Sequence, residues 1–565
     1  MVRIMHRWRR VTFLATALAL FQHVRGLLAP ANHAPRRCDV LRMSPQDQLQ
    51  IEGIFTRGVQ IASIGGLRGV IATEALSSKN PVVEVNSDLV LEITNTRQPS
   101  PFPEFCPPSF WESLKWDERL AFELLHLKHM SESSPLIPWI RSLPSTFSTP
   151  LTWSDKDIDD LQYPPLILKI KAQRDKWKSV YELWSQATSL KFKDKVPYPE
   201  MVWALQCVNS RAFSGPYEGS TASERRALIA FTGFLTAVWP VLGFGTLEQA
   251  LSAAFIVTLS IFLRDIISLR ASKLKRYVIC PYVDMFNHKS DCVSDASYNY
   301  FTGQFQLFTG EYQPGDQVFV SYGKQSNDRL FQYYGFTEPD NPHDVYEFNY
   351  GFVELIFKYA DELSTFIEFP TQPDPKTRLE YISNALRKTI IQNADDPNSS
   401  VASISASDFK CRIFRTPPTS TQLTPTKCSF DDATIRCLRA FLSSESEWRA
   451  LAPGLTESLK GLEQPLSQET ERKIEKALAA IAKLEMRSLS SSLEEDLRFL
   501  EALRSPSEAT SKGFSKGQNR ESRKGTTETM AVDPSGSFRD KEFSKISYRV
   551  EKKKLLQSAQ EAIDN

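Results

Sequence analysis

The side chains best suited to chemistry in this 565-residue chain stand in short, separated clusters. Asp284, Asn287 and His288 fall together in Asp284-Met285-Phe286-Asn287-His288. Tyr322 follows between Ser321 and Gly323, and Tyr334-Gly335-Phe336 closes the same region. Upstream lie Ser210-Arg211 and the run Gly65-Gly66-Leu67-Arg68-Gly69. A phenol can orient a lone pair, a guanidinium offers a planar fork to a carboxylate, and a glycine lets backbone approach a ligand. Each also has an ordinary structural explanation: a core tyrosine or histidine with a satisfied polar atom, a surface arginine, a core phenylalanine. The eight cysteines (38, 106, 207, 280, 292, 411, 428 and 437) contain no C-x-x-C pair and form no Cys/His cluster at zinc spacing. No metal is therefore expected. Reduced thiols fit a chain of this size better than a disulfide scaffold.

The elements that must position these clusters divide the chain. From Leu49 to Ile93 short β-like runs alternate, such as Val82-Val83-Glu84-Val85 and Leu89-Val90-Leu91-Glu92-Ile93. From Pro107 to about Arg270 the pattern is helical, with Trp111, Leu114, Leu120, Leu124 and Leu125 at helical spacings. Residues 277–336 return to short strands and turns. From about Pro342 helical periodicity dominates: Ile474, Leu478, Ile481 and Leu484 make one apolar stripe, and Ser492-Leu493-Glu494-Glu495 reads as a capping box. Between about 505 and 540 a Ser/Gly/Lys-rich stretch reads as a disordered insertion, before helical signal resumes in RVEKKKLLQSAQEAI.

In this order and spacing, DMFNH followed by SYGKQSNDRLFQYYGF resembles the SET domain of the Rubisco large-subunit methyltransferase group. Trp203-Ala204-Leu205 through Val208-Asn209-Ser210-Arg211-Ala212-Phe213 is similar to the helix before the second SET portion in that group. Asn-Pro-His-Asp at 341–344 and the helical half ending in YRVEKKKLL resemble its substrate-binding domain. The resemblance covers about residues 49–555. It implies an α+β fold: a β-rich SET core over 49–340, interrupted by a long helical insertion at about 107–270, then an all-helical substrate-binding domain over 341–565.

The resemblance further implies S-adenosylmethionine as cofactor and protein-lysine N-methyltransferase activity, on a protein presenting a lysine side chain, by a monomeric enzyme. Such a transfer is an in-line displacement that needs positioning and a neutral amine, not a strong acid or a metal. Tyr322 takes the catalytic, orienting role. Asn287 and His288 correspond to the pair holding the adenine and neighbouring ribose, and Asp284 to a carboxylate near the cofactor. Ser210 and Arg211 match the position whose guanidinium pairs with the cofactor's carboxylate, and Phe336 the ring packed on the adenine. Arg68 and Gly69 would offer backbone contacts, although the family's Gly-x-Gly reads here Leu67-Arg68-Gly69 after a glycine pair. Transfer to a histidine nitrogen, or a non-catalytic docking protein keeping the SET shell, are the alternatives.

Three further features bear on location and partners. Residues 1–43 carry eight Arg, no Lys and one Asp around an apolar run from Val11 to Phe21. A signal followed by a transit-like stretch resembles a bipartite plastid leader, with the secretory pathway or the mitochondrion as alternatives. Residues 227–263 contain a single charge, Glu248, in two apolar halves each too short to cross a bilayer. They are expected either to associate with a membrane or to pack as a buried helical pair. The chain has 68 Lys+Arg against 67 Asp+Glu, but without the leader 60 basic residues face 66 acidic ones. Residues 511–555 hold twelve basic and six acidic residues, so an acidic body carries a basic tail. That balance excludes a dedicated nucleic-acid binder.

Overall fold

The computed structural model describes residues 40–42, 49–64, 66–94, 99–131, 133–214, 232–234, 236–239, 245–271, 276–299, 302–394, 410–415, 428–455, 459, 462–504 and 534–564. The leader expected over 1–43 thus lies outside the described residues except for 40–42. The insertion expected at about 505–540 lies outside them except for 534–540. Residues 40–42 form a strand, β1 (Val40–Arg42), paired antiparallel with β3 (Val59–Ile64).

The N-terminal alternation becomes β2 (Ile54–Thr56), β3, β4 (Leu67–Ala72), β5 (Val83–Asn86) and β6 (Leu91–Thr94). β3 and β4 form a hairpin in which Ile64 faces Leu67, leaving two residues at the tip, and Gly66 there has φ 84°. Tight hairpin tips need left-handed backbone, which glycine adopts without a Cβ clash. Gly66 therefore serves the turn, and Gly69 lies two residues into β4.

The helical insertion is held by tryptophans: Trp111, Trp139, Trp177 and Trp184 are all fully buried. Trp184 Nε1 also donates to the Phe105 carbonyl at 2.9 Å. Truncating one such ring typically costs ~3–5 kcal/mol, so these anchors fix the insertion on the sheet. The helix Tyr198–Arg211 buries Met201, Ala204, Leu205 and Val208 at spacings of three and four, which leaves Ser210 and Arg211 in its last turn. The chain then enters β7 (Phe213–Ser214), which pairs with β8 (Arg276–Ile279), itself paired with β6.

Beyond β8 lie β9 (Asn287–His288), β10 (Ser294–Asn299), β11 (Gln304–Thr309) and β12 (Phe319–Val320). β10 and β11 extend the sheet β10-β11-β5-β2, while β9 and β12 run parallel to each other. The stretch expected as strands and turns also contains a helix, Asn327–Tyr334. Ser326 precedes it, Asp328 sits in its first turn, and Gly335 ends it at φ 79°. These are ordinary start and stop signals that a short amphipathic segment hides among aromatic residues.

The C-terminal half corrects the all-helical expectation. β13 (Val345–Gly351), β14 (Lys410–Arg415) and β15 (Cys428–Phe430) form an antiparallel sheet in that order. In β14, Cys411, Ile413 and Arg415 are buried while Arg412 and Phe414 are exposed, the period of two that a half-covered strand requires. The remainder is helical. Ile474, Leu478, Ile481 and Leu484 are buried in the helix Gln468–Ser488. Helix Leu493–Arg504 opens with the reciprocal capping bonds, Ser492 N–H to Glu495 Oε2 at 2.7 Å and Glu495 N–H to Ser492 Oγ at 3.1 Å. The last helix, Pro534–Asp564, packs along both.

Candidate active site

Parallel pairing sets the centre of the site. Phe319 lies opposite Asn287 and Val320 opposite His288, so the residues that follow β12 are laid beside the DMFNH cluster. Tyr322 is fixed there three ways. Its backbone N–H donates to His288 Nδ1 at 3.0 Å, its hydroxyl donates to the Phe286 carbonyl at 2.7 Å, and its ring stacks between His288 and Tyr334 at 4.8 and 4.9 Å. A backbone N–H can only donate, so Nδ1 accepts and the His288 proton belongs on Nε2. Burial raises the Tyr322 phenol well above its ordinary range, with Tyr334 adding to the shift. It therefore remains a neutral hydroxyl at neutral pH.

His288 itself has a fully enclosed side chain. Its Nε2 faces Ser290 Oγ at 3.4 Å and Glu338 Oε2 at 3.6 Å, and Glu338 accepts the Ser290 N–H at 2.9 Å. The imidazole is thus spent on holding Tyr322, and only the backbone of His288 is left for a ligand. Asn287 turns the other way: its Nδ2 donates to the Arg68 carbonyl at 3.1 Å. A Cβ at Gly69 would lie 2.8 Å from that same Nδ2 and 2.9 Å from Gln317 Nε2. Gly69 is required because β4 runs against the Asn287 amide.

A charged cluster flanks this wall. Asp284, in the short 3-10 turn Val283–Met285, is completely enclosed. Its Oδ2 accepts from Trp139 Nε1 at 3.1 Å and lies 3.2 Å from Arg211 Nε. Arg68 is close enough to interact with the same carboxylate, while its guanidinium donates to the Ser142 carbonyl. Burial pushes the Asp284 carboxyl up, against the pull of Arg211, the Trp139 bond and Arg68. Burial likewise lowers Arg68, partly offset by Asp284. Arg211 also donates to Ser210 Oγ at 2.8 Å and lies 5.7 Å over the Phe147 ring. Among the described residues, Asp284 Oδ1 and Arg211 Nε are buried without a hydrogen-bond partner. Two guanidiniums around one enclosed carboxylate, one of them paired to it directly, keep their remaining N–H groups available for a ligand bearing an anion.

Phe336 is half-buried, with its ring 6.3 Å from His288 and 6.1 Å from Tyr334. The turn before it is tight: a Cβ on Gly335 would lie 2.9 Å from the Ser148 carbonyl. All nine residues singled out from the sequence therefore meet in one region. Trp139, Ser142 and Phe147 join them from the helical insertion, where nothing local marks them. Tyr334 and Glu338, inside and just past YYGF, had a visible cue in their neighbours. The strained backbone of Tyr282, at φ 71° two residues before Asp284, belongs to the same turn.

Residues 406–556 match the family described as Rubisco LSMT substrate-binding. An actin-histidine N-methyltransferase of Danio rerio is 22% identical over 395 residues, covering 68% of this chain and 50% of that protein. The SET domain-containing protein 4 of Homo sapiens is 33% identical over 82 residues, 14% of this chain and 18% of that one. Among solved structures, the SET domain of LSMT bound to lysine and AdoHcy aligns with a TM-score of 0.52 at 15% identity. The same domain bound to methyllysine and AdoHcy aligns with a TM-score of 0.51, again at 15% identity. Each alignment covers 91% of this chain and 89% of the other. The chain has the SET fold, followed by a Rubisco LSMT-type substrate-binding region. It spans about half the length of the actin-histidine N-methyltransferases it matches.

Proposed function

We propose that this chain is an S-adenosylmethionine-dependent protein N-methyltransferase that modifies a lysine side chain of a protein substrate. The observation that carries the reading is Tyr322: a neutral phenol clamped to the Phe286 carbonyl and His288, beside a carboxylate held between two arginines. The donor set fits the cofactor. Arg211, with Arg68, would hold its carboxylate, the enclosed Asp284 keeps Arg211 in place for that, and Asn287, Gly69 and Phe336 lie beside them. When bound, S-adenosylmethionine supplies an electrophilic methyl group on a sulfonium.

The protein's own work is on the amine. A lysine arrives mostly protonated, with an ordinary pKa of ~10.4, and must lose its proton before its lone pair can attack. The Tyr322, Tyr334 and Phe336 rings exclude water, which favours the neutral amine. The Tyr322 oxygen and the Phe286 carbonyl offer acceptors that aim the amine's remaining N–H bonds and so its lone pair.

Tyr322→Phe tests the reading. Removing the hydroxyl while keeping the ring should leave S-adenosylmethionine affinity, measured by calorimetry, nearly unchanged. Methyl transfer should fall by about 100-fold. Equal losses in both would contradict the orienting role, and a parent chain that does not bind S-adenosylmethionine would leave only a docking function.

A histidine target is the second reading, favoured by the similarity to actin-histidine N-methyltransferase. Mass spectrometry of protein substrates methylated in vitro separates the two by the modified residue. The arginine-rich, acid-poor leader supports a plastid substrate. Import of a fluorescent fusion tests that location.

A further inference from the structure

The helix Leu247–Ala271 makes no extensive contact with any other described element, and most of its residues from Leu247 to Leu259 are exposed. Leu251, Phe255, Leu259 and Leu263 are exposed along one line of it, and Ile256 and Val257 are exposed too. Consecutive helical residues point about 100° apart, so Phe255, Ile256 and Val257 spread apolar surface over most of the circumference, while Ala250, nearer the helix start, is buried. Phe234 and Trp239, just before, are exposed as well. A protein groove or a second copy covers one stripe of a helix, whereas lipid can cover an apolar face this broad.

Charge selects the kind of lipid. Between 227 and 263 the only charge is Glu248, but Arg225 and Arg226 precede the block beside Glu224, and Arg264, Arg270, Lys273 and Lys275 follow it against Asp265, six flanking cations to two anions. Cations flanking an apolar helix attract anionic headgroups. Length sets the depth. From Leu247 to Leu263 the helix rises about 26 Å at ~1.5 Å per residue, short of the ~30 Å hydrocarbon core. No described helix is long and apolar enough to cross a membrane.

We propose that the helix Leu247–Ala271 is a monotopic anchor that lays this protein on an anionic lipid bilayer without crossing it. It interrupts the chain between Arg211 and β8, the strand that leads into Asp284, so the anchor is rooted between two parts of the candidate site. The anchor does not depend on which side chain is methylated, or on whether any is.

Flotation of the full chain with phosphatidylcholine vesicles, with and without phosphatidylserine, tests it. Leu14→Asp/Leu18→Asp silences the apolar leader in every sample. In that background the chain should float with phosphatidylserine vesicles and several-fold less with phosphatidylcholine alone. Adding Leu251→Asp/Phe255→Asp/Leu259→Asp should lower the bound fraction by at least about tenfold, since three apolar side chains that would enter the lipid become charged. Thermal melting and S-adenosylmethionine binding should not change, which separates loss of anchoring from misfolding. Flotation that survives the triple substitution, or a parent that stays with the soluble fraction, overturns the anchor. So does a lipid-free dimer in sedimentation that the triple substitution dissociates, because a second copy would then be what covers the helix.

Discussion

At the scale of single residues, Asp284 separates holding from touching. Its carboxylate is enclosed, and its neighbours are Trp139, Arg211 and Arg68. Asp284→Asn keeps the shape and an acceptor for Trp139 but removes the charge between two guanidiniums. The expected result is a loss of about 2–3 kcal/mol of stability in urea denaturation and at least about tenfold weaker S-adenosylmethionine binding by calorimetry. Unchanged affinity would show that Asp284 does not position Arg211. The sequence displayed one half of this arrangement. Asp284, Asn287 and His288 stand close in sequence because one 3-10 turn runs straight into β9, and Tyr322 is marked because it follows β12, the parallel partner of β9. Trp139, Ser142 and Phe147 reach Asp284, Arg68 and Arg211 from a helical segment well over a hundred residues from Asp284, and tertiary packing leaves no local signature of such contacts.

At the scale of elements, what joins β9 to the segment after helix Asn327–Tyr334 is Glu338. Burial pushes its carboxyl up, but bonds from His288 and Ser290 outweigh that and bring it from 4.5 down to about 2. A carboxyl depressed on folding stabilises fully above its unfolded value, and that contribution is lost as pH falls from about 4.5 toward 2. With partial exposure screening the interaction, its share is about 1–2 kcal/mol. Glu338→Gln should therefore lower the melting temperature at pH 7 and flatten its fall between pH 4.5 and 2. A parallel curve displaced by a constant amount would contradict the linkage. Glu200, drawn to about 2 chiefly by its His129 bond, and Glu447, also at about 2, keep part of the acid sensitivity in place. Other elements differ in how far the sequence reveals them. The stripe of Gln468–Ser488 and the capping box at Ser492 are local and periodic, and they form as read. The sheet β13-β14-β15 escapes because its strands are short, far apart in sequence and embedded in helical surroundings. Only its alternating burial, visible after folding, distinguishes them.

At the scale of the whole molecule, the basic tail and the acidic body meet inside the protein. Along Pro534–Asp564, Lys541 reaches Asp157 at 2.8 Å, Lys545 reaches Asp160 at 3.3 Å, and Arg549 and Lys553 both reach Asp496. Charge arithmetic separates the two parts, but only the fold brings them into contact. Lys552, also buried, is held between Asp328 at 2.5 Å and Asp344 at 2.9 Å, and bonded to the Val345 carbonyl at 2.7 Å. Burial disfavours its charge, yet the two carboxylates raise its pKa overall. Its contribution is thus complete below the ordinary lysine value of ~10.4 and is lost as pH climbs through the raised one. Lys552→Met would strand two carboxylates in the interior, which typically costs ~3–5 kcal/mol, and adding Asp344→Asn should recover part of that. Urea denaturation of the single and double variants measures both. Asp328 belongs to the helix Asn327–Tyr334, whose last residue stacks on Tyr322, so the C-terminal helix braces the wall of the candidate site from behind. Below the denaturation range, Lys552→Met should accordingly lower methyl transfer more than cofactor affinity, because Tyr334 is disturbed while Arg211 and Asp284 are not. Equal losses would mean that the brace holds the whole fold and not that wall.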